Sequence, residues 1–231
     1  MLVAAAVCPH PPLIVPEVAG AAAPELDGLR SACAAAVRSL AEADPDVLVV
    51  VGGADRSASY SGDAAGTLKP WGPDVRVGAG DPVLPLSLTI GRLLAEPAFP
   101  AGLPELRFEA IAADASPAAC AELGRRVAGS AARVAMLVMG DGSARLTEKS
   151  PGYVHPHAAP YDAMLAAALG EAAADRLAAL DPAEAAELWV AGRAAFQVLA
   201  AAAHDAPPVA GELLFHDAPY GVGYAVARWT W

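Results

Sequence analysis

The stretch "VCPHPPLIVPEV", Val7 to Val18, places His10 among four prolines directly after the apolar run "LVAAAV". Proline fixes φ, so this histidine leaves a strand in a stiff setting. That suits a ring held at one point for a metal or a substrate. The plainer alternative is a ring that hydrogen-bonds a loop carbonyl at a turn. His155 and His157 flank Pro156 and are the only histidines close together in sequence. With His10 they would make a three-histidine set of the kind zinc uses. Pro156 favours extended geometry at His155, which sends alternate side chains apart, so a surface loop pair is the simpler reading.

Asp55 follows "DVLVVVGGA" and Asp141 follows "RVAMLVMG". Each is positioned to supply an oxygen ligand or to accept from a substrate, or to shape a turn beside glycine. Arg145 could clamp an anion with its planar fork or form an ordinary ion pair. "GDGS", Gly140 to Ser143, lacks the lysine of a Walker loop and the spacing of a dinucleotide fingerprint. Ser57, Ser59 and Ser143 lack the context of a nucleophile elbow, which argues against a serine hydrolase.

The elements that must position these residues alternate. Apolar runs at "MLVAAAV", "DVLVVV" and "RVAMLVM" read as strands buried on both faces, and "RFEAIAA" as a fourth. Between them, helical spacing covers Pro24 to Ala43, Leu84 to Ala95 and about Pro117 to Gly129. Two alanine-rich helices follow, over Tyr161 to Leu180 and Pro182 to His204. "GELLFHDAPYGVGYAVARW" closes the chain as two strands about a Pro/Gly turn. The pattern predicts one α/β domain over residues 1–231, with a largely parallel central sheet flanked by helices and a C-terminal antiparallel hairpin. Ligands of such sheets bind at the carboxyl ends of the strands, where the loops at His10, Ala54 and Gly142 would lie.

Composition narrows the partners. Hydrophobic residues make up 55% but aromatics only 6%, so alanine and the aliphatics must fill the core. A net charge of −11, without a basic cluster, disfavours nucleic acid. No run matches a membrane span, and "MLVAAAV" lacks the basic start of a secretion signal. Three cysteines without zinc spacing or an even count fit a cytoplasmic protein. Trp229 and Trp231 are expected to cover apolar surface or to meet a second copy in a homo-oligomer.

Five pieces, "PHPPLIVPEV", "DVLVVVGG", "GDGSARLTEKSPG", "APYDAMLAAAL" and "DAPYGVGYAVA", run in an order and spacing that resembles the subunit-B-like class III extradiol ring-cleavage dioxygenases, the superfamily that includes Memo-like proteins. The resemblance covers His10 to Ala227. It implies a single-domain non-haem iron fold in which two histidines and a carboxylate hold Fe(II) and a further histidine acts as acid and base. The first ligand falls on His10, left as a vestigial metal residue. The second aligns with Ala54, the acid/base histidine with Ala144, and the carboxylate with Val190, near Glu187. The resemblance therefore implies a degenerate member, with His10, Gly53, Ala54, Asp55, Asp141, Ser143, Ala144 and Arg145 lining the former cleft. Such a cleft would take a small aromatic or other small molecule and no cofactor. One alternative is a rebuilt Fe(II) or Zn site acting on catechol-type aromatics, using His10 with Asp55, Asp141 or the His155/His157 pair. Another is an interaction scaffold of the Memo-like kind.

Overall fold

The structure is a computed structural model and describes residues 1–100 and 102–231. The three apolar runs form strands β1 (Leu2–Cys8), β2 (Val47–Ala54) and β7 (Val134–Met139). β7 lies between the other two and is parallel to both. β6 (Glu105–Ala112) adds a fourth parallel strand beside β2, and the short β3 (Ala58–Ser61) runs antiparallel along its outer edge. β8 (Ala210–Asp217) and β9 (Tyr224–Thr230) form the antiparallel C-terminal pair, with β9 against β1. The seven-stranded order is β3-β6-β2-β7-β1-β9-β8. A separate two-stranded ribbon joins β4 (Gly66–Thr67) to β5 (Arg76–Val77).

Strand alternation divides the core into two layers. Val47, Val49 and Val51 of β2 face a layer that includes residues of α4 (Pro117–Ala128), α5 (Ala158–Gly170) and α8 (Arg193–Ala202). Leu48 and Val50 face the other layer, which includes α2 (Asp27–Glu42) and α3 (Leu86–Ala95). A four-residue turn of helix, α1 (Pro16–Ala19), follows the proline-rich exit from β1. With few aromatics available, alanines fill the close approaches, and Ala194, Ala195 and Ala200 of α8 are all buried.

The two long alanine-rich helices expected near the C-terminus are each broken. The first divides into α5 and α6 (Ala174–Ala178), with Ala172 at φ 51° between them. The second divides into α7 (Pro182–Glu187) and α8, separated by a turn in which Trp189 has φ 55°. Alanine favours helix at every position, so periodicity alone does not reveal these breaks. Backbone bonds made across the turns stabilise them instead: Ala173 N–H donates to Ala168 O (2.9 Å) and Val190 N–H to Ala185 O (2.8 Å). Among the described residues, no helix is long and apolar enough to cross a membrane. Trp229 is buried and its indole N–H donates to Leu169 O at 2.7 Å, so it belongs to the core.

Candidate functional site

The carboxyl ends of β1, β2, β6 and β7 lie along one edge of the sheet, as their parallel pairing requires. His10 and Asp141 meet there from adjacent strands. The Asp141 carboxylate accepts the His10 backbone N–H at 2.8 Å, and the His10 Nδ1 lies 3.5 Å from the same oxygen. Both side chains are largely buried, and Nδ1 is buried without a hydrogen bond of its own. Asp141 thus holds the turn after β7 against the exit from β1. Its charge, after burial, also helps to raise the Tyr224 phenol pKa above the ordinary value.

The loop after β7 is laced in place. Gly142 N–H donates to Gly223 O (2.7 Å) and Gly223 N–H to Ser143 O (2.9 Å), which joins this loop to the start of β9. Under these residues lies Asp162 of α5, 5% exposed. Its Oδ1 accepts Ser143 N–H at 3.0 Å and its Oδ2 lies 2.8 Å from His216 Nε2 on β8. A Cβ on Gly142 or Gly223 would collide with the Asp162 carboxylate, so that close approach requires glycine at both positions. Asp162 is a structural hub that residue types and spacing alone do not mark. Its signal in the sequence was an acid inside an otherwise apolar helix.

Several candidates have structural partners. Ser143 is fully buried, and its hydroxyl donates to Leu188 O at 2.7 Å. Arg145 donates from Nε to Tyr153 O (2.9 Å) and from Nη1 to Glu187 O (2.8 Å). It therefore ties the loop at Tyr153 to the end of α7. His155 Nδ1 accepts His157 N–H at 3.3 Å, which leaves its Nε2 to face the Glu187 carboxylate at 3.2 Å. The two rings pack edge to face 5.3 Å apart as a local loop pair. Asp55 is exposed beyond the end of β2.

A cavity of about 710 Å³ opens beside this edge. Asp114 after β6, Ala144 after β7, Ala186 on α7, and Trp189, Val190 and Arg193 around the start of α8 contribute to its walls. Ala144 and Val190, two of the three positions that the resemblance aligns with functional residues, thus share one cavity. Ala54 comes to the same sheet edge, but its side chain packs with the α2/α3 layer. The period of two in a strand is the reason: Gly53, not Ala54, faces the α8 side, where a Cβ would lie 3.2 Å from Ala191 O. His10 is not part of the cavity wall. Another cavity, about 570 Å³ between α2 and the end of α3, offers Arg38 and Glu42 but none of the sequence candidates.

The resemblance implies iron held by two histidines and a carboxylate. The side chains present do not fit that set. Ala54, Ala144 and Val190 carry no donor atom, and His10 has Asp141 alone beside it. Among the described residues, no group of three or more His, Cys, Asp or Glu is gathered as a metal site.

No protein-family model and no curated protein matches the chain. Among solved structures it is similar to the crystal structure of uncharacterized protein JW3007 from Escherichia coli K12, with a TM-score of 0.59 and 13% sequence identity. The match covers 99% of this chain and 100% of that one, and at this identity it shows a shared fold.

Proposed function

We propose that this protein is a degenerate relative of the class III extradiol dioxygenases that binds a small molecule in the former cleft without cleaving a ring. The observation that carries the reading is the cavity at the carboxyl edge of the sheet, lined by Ala144 and Val190, the positions that the resemblance aligns with an acid/base histidine and a ligand carboxylate. Two features support it. His10 Nδ1 faces Asp141 within the protein, and Ser143 and Arg145 spend their polar atoms holding the loop. A facial site needs about three protein ligands, and one imidazole does not replace them. The apolar walls and few polar groups suit ligand binding. Metal analysis of untagged protein tests the reading: iron and zinc should be far below one per chain. Stoichiometric metal that disappears in His10→Ala would contradict it.

A further inference from the structure

Arg193 is 3% exposed and is one of the residues that line the cavity. Buried arginines ordinarily pair with a carboxylate, because desolvating an unpaired cation is costly. Arg193 has no ion-pair partner among the described residues. Its hydrogen bonds go to neutral acceptors. Nη1 donates to Ala115 O at 2.6 Å and to Gln197 Oε1 at 3.0 Å, and lies 3.9 Å from Cys120 Sγ. Nη2 donates to Ala113 O at 2.6 Å. Gln197 is itself held by Ala178 O and Leu180 O, so the guanidinium is fixed in place. A guanidinium has five N–H donors. These bonds leave Nε–H and one Nη2–H without an acceptor among the described residues, and Nε and Nη2 together form a side from which a guanidinium takes a carboxylate.

A second observation comes from the other side of the cavity. Trp189 holds φ 55°, a conformation that bulky residues rarely adopt, and its side chain is 53% exposed against the same space. A half-exposed indole on a wall of the cavity offers an apolar surface to a ligand. The remaining wall is largely alanine, which leaves room and offers no competing hydrogen bonds. Asp114 is the acid on the wall, is exposed, and opposes an anion weakly across solvent.

We infer that this cavity binds a monocarboxylate with a compact apolar body, its carboxylate on the Nε/Nη2 side of Arg193 and its body against Trp189 and the alanine wall. The inference rests on the reading of the cleft as a small-molecule site and adds the chemistry of the ligand.

The test is calorimetric titration of the full chain with phenylacetate and octanoate, each beside its neutral amide. The carboxylates should bind at least about tenfold more tightly than the amides. Arg193→Gln should remove that preference. Because this substitution also breaks the bonds to Ala113 and Ala115 that hold the surrounding fold, Asp114→Asn provides a second variant. It leaves that network intact and should tighten carboxylate binding by up to about fivefold without changing the amides. Ala186→Trp, at an exposed position on the wall, should block both kinds of probe. Equal binding of carboxylate and amide, still blocked by Ala186→Trp, would overturn the anion assignment and leave the small-molecule reading standing. Failure of the parent to bind either kind of probe would overturn the inference outright.

Discussion

Replacing Asp162 by alanine would expose what holds the loop that carries Ala144. The carboxylate accepts the buried Ser143 N–H at 3.0 Å, and its loss leaves that donor without a partner. An unsatisfied buried N–H costs about 1–3 kcal/mol. The contact to His216 at 2.8 Å adds less, because that imidazole is one-third exposed and the pair is partly screened. About 0.5–1 kcal/mol is a reasonable allowance for it. Asp162→Ala should therefore destabilise the chain by roughly 1.5–4 kcal/mol, and lower the Tm by about 3–16 °C for a domain of this length. Asp162→Asn keeps the shape and the Oδ1 acceptor and should cost no more than about 1 kcal/mol. Thermal and urea unfolding followed by circular dichroism give both numbers. Limited proteolysis should place the new cleavage between residues 142 and 150, since the loop loses its anchor before the sheet melts. If both variants melt within about 1 °C of the parent, Asp162 does not act as a hub.

Three further outcomes follow from individual residues. The buried Tyr161 hydroxyl has no hydrogen-bond partner, so Tyr161→Phe should stabilise the chain at neutral pH by about 0.5–2 kcal/mol, read from the urea midpoint. Burial, helped by nearby Glu184, pushes the Tyr161 phenol up to about 12, above its value near 10 in the unfolded chain. Its contribution is complete below about pH 10 and is lost as pH rises towards 12, so stability should fall over that window by at most about 1.4 kcal/mol per pH unit for this residue, and Tyr161→Phe should make the fall shallower. Trp189→Gly should relieve the positive φ and raise stability by about 1 kcal/mol while weakening binding of both carboxylate and amide probes; loss of stability would mean that the indole packs more than it strains.

The apolar runs that became β1, β2 and β7 were legible because strands covered on both faces carry no polar residues. The closing antiparallel pair was legible from its Pro/Gly turn. The breaks at Ala172 and Trp189 were not, since alanine hides a helix end and the left-handed residues are held by contacts distant in sequence. The site divides along the same line. His10 and Asp141 meet just past the ends of β1 and β7, a place that the fold class alone gives them. Ala54 points to the α2/α3 layer, a matter of one residue in register. Arg193 and Asp162 were missed because a charge within an apolar helix reads as surface until its surroundings are known.

Loss of ring cleavage, the core of the proposed function, is open to one direct assay. Purified protein supplied with Fe(II), oxygen and protocatechuate or simple catechols is followed in the visible range for the yellow ring-opened product. No formation above a control without protein is expected, because Ala144 and Val190 supply neither proton transfer nor a ligand. Turnover well above that control, abolished by His10→Ala, would contradict it.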